Sequence, residues 1–379
     1  MSNLLVSINL VVLNGEKYIR HCLGAVLAQT YPHDKIQLNI LDNGSSDNTK
    51  SIIATYNQQL TTNNFAKFFL LESKKNLGVW PGQEELLKHT NGKYVVTLCV
   101  DVLMDKDFIK NAVEIIEKDK KIGALQPKVY RFDLPEVEPR NIFEVRPQKT
   151  TIIDTCGFQI FRSRRIINIG HGLSFAEASE SKEFNFDKQQ EIFAVEGAVP
   201  VFRKEALESC RISKTSEVEP RNIFEVRPQT EVADHDYFWY GDDLDLAWRM
   251  RLFGWKQVFA PNVIAWHDRQ TTKSVKKSWS DYITRVPVRR RIPIKKRRLD
   301  WRNTRWTLVK NDYIINILKD LPWIVSREFA VLGYTVLFEP KALKEIPTFF
   351  RYLPKMLRKR REIMKRVVVS PKEFRKWLT

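Results

Sequence analysis

Residues 4–13 read LLVSINLVVL, ten positions in which only Ser7 and Asn9 are polar, and the run stops at Asn14-Gly15. A strand with one wet face alternates, so a near-continuous apolar run predicts a strand covered on both faces, the habit of parallel sheets. Residues 16–30 then place Tyr18, Ile19, Cys22, Leu23, Val26 and Leu27 at helical spacing, YPHD breaks the pattern, and a second apolar run follows at 36–41. Strand, helix, strand in that order commits the chain to an α/β architecture. Further runs at 65–71, 94–100 and 123–130 predict three more strands, with helices at 49–56, 83–89 and up to Lys118. Shorter strands are predicted in TIIDTCGF and EIFAVEGAVPVF, and two more at 257–260 and 263–266, separated by a Pro261-Asn262 turn.

In open α/β sheets, ligands bind beyond the carboxyl ends of the strands, so the residues after each run matter most. The second run ends in DNGSSDNT (42–49), a common turn composition that also offers caps to the next helix. The fourth ends in Asp101, where a carboxylate does little for the core and is well placed to hold a cation. His267 ends the last run; a lone histidine is usually structural, but one that closes a core strand is a candidate metal ligand. No glycine-rich phosphate loop follows any strand, so a bound nucleotide needs another device, and a divalent cation bridging its diphosphate is the natural one. The stretch YFWYGDDLDLAWRMRLFGW (237–255) sets Asp242, Asp243 and Asp245 before a predicted amphipathic helix with Leu246, Met250 and Phe253 on one face. One aspartate suffices as a cap; two adjacent ones leave both a capping role and a catalytic base open.

The formal charge of +18 is uneven. Residues 271–379 hold 29 Lys+Arg against 9 Asp+Glu, leaving 34 against 36 in residues 1–270. An acidic partner is therefore met by the last third. There, basic runs such as RRRIPIKKRR (289–298) interleave with Trp, Phe and Leu, as in helices that lie on an anionic leaflet. The apolar stretch at 321–338 is interrupted by Arg327 and Glu328, and its uncharged runs fall short of the ~20 residues of a spanning helix. Four cysteines far apart in sequence suggest neither a zinc site nor a disulfide framework, and the chain reads as cytosolic without a signal peptide. The string EVEPRNIFEVRPQ occurs twice, at 136–148 and 217–229, and reads as two surface insertions near 134–150 and 214–232.

The strand ending in Asn-Gly, the DNGSSDNT turn, the Asn76-Leu77-Gly78 loop, the strand ending in Asp101, and DDLDLAWRMRLFGW before a strand ending in His267 come in one order. That order resembles the family 2 glycosyltransferases, near the bacterial rhamnosyltransferase-like group. The resemblance implies a GT-A type fold: a Rossmann-like, mixed but mainly parallel sheet flanked by helices in residues 1–270, with a basic helical extension at 271–379. It implies an inverting hexosyl or deoxyhexosyl transferase that uses a nucleotide-diphosphate sugar and Mg2+ or Mn2+. Carried over by position, Asn14, Asp42, Asn43, Asn76 and Asp101 would line the donor pocket, Asp101 and His267 would hold the metal, and Asp243, supported by Asp242, would be the base. The chain departs from the family pattern where Cys99 and Val100 precede Asp101, at Leu13, at PGQE (81–84) and at Gly241-Asp242. The acceptor implied is a glycan or lipid-linked cell-envelope molecule, met at the cytoplasmic face by a peripheral protein. The competing readings are an inactive glycosyltransferase-like assembly protein and a nucleic-acid-binding protein acting through the basic region, although no nucleic-acid module is present and no nucleic-acid partner is expected.

Overall fold

The computed structural model of the chain describes residues 4–135, 146–181, 183–214, 230–269 and 292–379. Most of each EVEPRNIFEVRPQ copy, and the segment 270–291, lie outside the described residues. The described residues form two compact units, one from those within 4–158, 168–206 and 256–269, the other from those within 159–167, 207–255 and 292–379.

The first unit is built on a mixed ten-stranded sheet. Its strands are β1 (Val6–Val12), β2 (Ile36–Asp42), β3 (Lys67–Glu72), β4 (Tyr94–Leu98), β5 (Val102–Met104), β6 (Ile122–Asp133), β7 (Gln148–Thr155), β8 (Gln190–Glu191), β9 (Val201–Arg203) and β10 (Lys256–His267). The order is β8-β10-β6-β9-β4-β1-β2-β3, with β5 on β10 and β7 on β6. Parallel pairs join β1 to β2 and β4, β2 to β3, and β6 to β10, while the inserted β9 runs antiparallel to β4 and β6. β1 and β2 are buried almost throughout because helices cover the sheet, which is why their sequences do not alternate. Helix α1 (Ile19–Leu27) buries Ile19, Cys22, Leu23 and Val26, and α4 (Phe108–Glu117) buries Phe108, Ile109, Ala112, Val113, Ile115 and Ile116, into one core with Ile8, Leu10, Leu38 and Val96. α2 spans Thr49–Thr62 and α3 spans Val79–Leu87.

Two expectations change. α3 starts at Val79 rather than 83, because Pro81 falls in its first turn, where no helical N–H is required of it. The two strands predicted at 257–260 and 263–266 are one strand: Ala260 pairs with Pro127 and Ile264 with Lys128, so Pro261 and Asn262 form a bulge and not a turn.

The second unit is mainly helical: α5 (Asp242–Leu252), α6 (Ile294–Asn311), α7 (Ile314–Lys319), α8 (Leu321–Phe338) and α9 (Ile346–Lys365). α5 is not the amphipathic helix of the sequence reading. Leu244 through Leu252 are all buried, with Trp248 stacked on Phe374 at 5.4 Å, so residues near the C-terminus cover the face that pattern assigned to solvent. α8 is long and apolar enough to cross a membrane by length and composition, yet almost none of it is buried. The four cysteines are free.

Candidate functional site

In the first unit, the parallel register sets Val12 beside Asp42 and Leu10 beside Leu98, so the residues after β1, β2 and β4 emerge along one sheet edge. Asn14, at φ 50°, accepts from Ser46 N–H through its Oδ1 at 2.9 Å, and its own N–H donates to Ser45 Oγ at 2.9 Å. Gly15 N–H donates to Thr49 Oγ1 at 2.8 Å, so the Asn-Gly end of β1 is stitched to the DNGSSDNT turn. Asp42 is fully buried; its Oδ1 accepts from Ser45 N–H at 3.2 Å. Its Oδ2 has no hydrogen-bond partner, the nearest cation being Lys50 Nζ at 3.5 Å. Buried at a strand end with only that ion pair, this oxygen is a candidate ligand acceptor.

Asn43 is spent differently. Its Oδ1 accepts from Leu77 N–H at 2.9 Å, and its Nδ2 donates to Gly78 O at 3.1 Å and Asn76 Oδ1 at 3.2 Å. Asn76 Oδ1 also accepts from Gly78 N–H at 2.8 Å. Asn43 and Asn76 therefore shape the 76–78 loop, a job the turn composition gave no means of separating from ligand contact. Gly44 is left-handed at φ 87°, and a Cβ there would meet the Lys75 backbone at 3.0 Å, so the turn and this loop approach as closely as glycine permits.

Asp101 and His267 come together through β5, which pairs Val102 with His267 on β10. His267 Nε2 lies 3.4 Å from Asp101 Oδ2, and His267 Nδ1 lies 2.9 Å from Asp154 Oδ2. Arg269 Nε donates to Asp154 at 2.8 Å, and Arg269 also donates to Glu196 Oε1 at 2.6 Å. Burial would lower the pKa of His267, but Asp101 and Asp154 raise it to about 10. Burial pushes Asp101 up, and His267 more than reverses this, leaving Asp101 lowered. Asp154, Glu196 and Arg269 escaped the sequence reading: Asp154 stands in an ordinary strand pattern, and the only signal at Arg269 is its place two residues after the strand-end histidine.

Among the described residues, no three His, Cys, Asp or Glu side chains converge as a metal cage. The arrangement nonetheless suits a cation that takes one or two protein ligands and completes its shell with substrate phosphate and water. Asp101 is 29% exposed at its side chain, and His267 is oriented through Nδ1 by a buried carboxylate, the usual support behind a ligating histidine.

The acid pair lies in the second unit. Phe238, Tyr240 and Gly241 are left-handed at φ 60°, 72° and 76°, a strained approach to a helix that starts at Asp242. Asn303 of α6 holds that loop, its Nδ2 donating to the carbonyls of Tyr237 at 3.2 Å, Trp239 at 3.0 Å and Tyr240 at 2.7 Å. Asp242 is buried and accepts from Asp243 N–H at 3.1 Å, while the half-buried Asp243 accepts from Leu244 N–H at 2.8 Å. Burial raises the pKa of Asp242 to about 6, with Asp245 adding to the rise and the Asp243 N–H opposing it. Asp245 caps nothing. It takes Lys310 Nζ at 2.9 Å, Asn311 Nδ2 at 2.7 Å and Tyr237 Oη at 3.2 Å, all beyond water's reach.

The sequence of residues 7–208 matches the model of the glycosyl transferase family 2. Among characterised relatives, the chain is 28% identical over 116 residues to a dolichyl N-acetyl-α-D-glucosaminyl phosphate 3-β-D-2,3-diacetamido-2,3-dideoxy-β-D-glucuronosyltransferase of Methanococcus voltae, covering 31% of this chain and 35% of that protein. It is 32% identical over 120 residues to the poly-β-1,6-N-acetyl-D-glucosamine synthase of Staphylococcus epidermidis, covering 32% of this chain and 27% of that one. The matched region is thus about a third of these relatives' own length. Among solved structures, residues 1–349 of S. aureus TarS in complex with UDP superpose with a TM-score of 0.50 at 14% identity, covering 96% of this chain and 84% of that one. GalNAc-T7 with UDP, GalNAc and Mn2+ also gives 0.50, at 14% identity, covering 83% and 57%. These likenesses show the GT-A fold that the strand-end geometry suggests. With the family match running over more than half of its length, the chain belongs to the family 2 glycosyltransferases.

Proposed function

We propose that the protein transfers a sugar, with inversion, from a nucleotide-diphosphate sugar to a hydroxyl of a glycan or lipid-linked cell-envelope acceptor. The observation that carries the catalytic role is the acid pair: a half-buried Asp243 backed by a buried Asp242 at a helix start. The acceptor oxygen attacks the anomeric carbon from the face opposite the diphosphate. The new C–O bond forms as the sugar–phosphate C–O bond breaks, Asp243 takes the hydroxyl proton, and the nucleoside diphosphate departs with the bonding pair. Asp42, whose Oδ2 is ion-paired with Lys50 at 3.5 Å but makes no closer hydrogen bond, accepts from the nucleoside, and Asn14, Asn43 and Asn76 fix the loops around it. Asp101 and, on loss of its ring proton, His267 would hold Mg2+ or Mn2+, which would neutralise charge on the leaving diphosphate. GalNAc-T7, which shares the fold, binds UDP and Mn2+, and the relatives named above are by name a poly-β-1,6-N-acetyl-D-glucosamine synthase and a transferase acting on a dolichyl-linked sugar; both support this reading. The basic residues of 271–379 are proposed to hold the enzyme at the cytoplasmic face of an anionic membrane.

The test is turnover in a panel of nucleotide sugars with Mg2+ or Mn2+, the donor first picked by metal-dependent thermal stabilisation. Asp243→Asn is expected to lower kcat by roughly 10²–10⁴-fold while leaving donor-induced stabilisation intact. An unchanged kcat would remove Asp243 from the base role.

A further inference from the structure

Helix α8 is built inside out. Its half-buried face, turned towards its own unit, carries both of its charges, Arg327 and Glu328. They pair with each other at 2.6 Å, and Glu328 also pairs with Arg305 of α6. The exposed side carries no charge: Leu321, Val325, Phe329, Leu332 and Val336 follow a 4-4-3-4 spacing along one stripe, bordered on its inner edge by Glu328, each at least 41% exposed, with Phe329 at 71%. A surface helix in water shows the reverse pattern. Exposed Ile314, Ile315 and Leu318 of α7 extend the apolar surface just upstream.

The charges around the stripe say what covers it. Asp312, Asp320, Glu339 and Glu345 are all buried and paired inward, with Arg164, Arg375, Arg297 and Arg302 among their partners. Lys319 precedes α8 and Lys341 and Lys344 follow it, all three exposed, and α9 presents Arg351, Arg358 and Arg361 to solvent. The acids at the ends of α7, α8 and α9 are therefore hidden, and cations are shown at both ends of a helix whose exposed side is uncharged. That is the arrangement of an element lying in the headgroup layer of an anionic bilayer, apolar face down and lysines at phosphate depth. Among the described residues of α7, α8 and α9 no acid is exposed, so the surface around the stripe is complementary to anionic headgroups.

We infer that α8 is an interfacial membrane-docking helix, seated by its 321/325/329/332/336 stripe in an anionic lipid leaflet and held parallel to it by the Glu328–Arg305 tether rather than crossing it. This rests on the reading that the basic C-terminal region meets an anionic membrane, and it assigns the contact to one element.

The test uses the full chain and vesicles of phosphatidylcholine with or without phosphatidylglycerol. Wild-type protein is expected to co-sediment with the phosphatidylglycerol vesicles, to keep part of that binding near 1 M salt, where screening is ~3 Å, and to be released by alkaline carbonate. Phe329→Glu and Leu332→Glu, both at exposed positions, are each expected to cut the partition coefficient about tenfold while leaving thermal unfolding and turnover of a water-soluble acceptor unchanged. Retention by wild type that these variants do not alter overturns the α8 assignment and leaves the basic-region reading standing; no retention of wild type overturns both. Carbonate-resistant protein indicates a spanning helix and overturns the interfacial one. A wild-type dimer that Phe329→Glu dissolves, with vesicle binding unchanged, gives the stripe to a second copy instead.

Discussion

Asp242 is kept at a cost to the fold. Its folded pKa of about 6 lies above that of an unfolded aspartate, about 3.9, so in this window the folded chain binds more protons than the unfolded one. The associated stability is complete below about pH 4 and is lost as pH rises to about 6. Asp242→Asn, whose Oδ1 can still accept from Asp243 N–H, is therefore expected to stabilise the protein by roughly 1–3 kcal/mol at pH 7.5 and to do nothing at pH 4, while turnover falls. Denaturant unfolding at the two pH values checks it; equal stability of variant and wild type at pH 7.5 would show that the buried carboxyl carries no penalty. The sequence singles this residue out as one of an acid pair, because two adjacent acids exceed what a cap requires. It could not say which is buried, since burial follows from what α5 packs against.

At the scale of elements, α5 is held by ion pairs that no local pattern foretells. Lys310 bridges Asp234 at 2.6 Å and Asp245 at 2.9 Å, and Lys359 reaches Asp234, Glu231 at 2.9 Å and Asp236 at 3.0 Å, all largely or wholly shielded from water. Removing one member strands the others as unpaired buried charges. Lys310→Met is expected to cost about 3–5 kcal/mol, and Asp245→Leu added to it should recover part of that loss; unfolding free energies of the single and double variants test the coupling. A Lys310→Met loss below about 1 kcal/mol would place this network among ordinary surface pairs. The strand elements were easier to read. A run such as Tyr94–Leu98 is apolar wherever it sits in a parallel sheet, whereas the single strand β10 looked like two because its bulge carries the Pro-Asn composition of a turn.

For the whole molecule, the basic C-terminal region is less a tail than half of a unit. The described residues of 207–255, with the acid pair, group with those of 292–379. A chain ending at residue 293 lacks Asn303, Lys310 and Lys359, and it is expected to lose turnover of a water-soluble acceptor entirely, not only its retention on vesicles. Full activity of that truncated chain would show that α5 and the loop before it hold without α6 and α9.

The sequence by itself determined the parallel α/β core, the strand ends that carry Asn14, Asp42, Asp101 and His267, and membership of the family, because apolar periodicity and turn chemistry are written in short windows. Only the tertiary structure decided that Asp245 answers Lys310 across 65 residues, that Asp154 orients His267 across 113, and that α8 turns its charges inward. Those outcomes depend on which distant side chains share a dry interior. There an unpaired charge is costly enough to select one partner, and no local window of the chain contains both members of the pair.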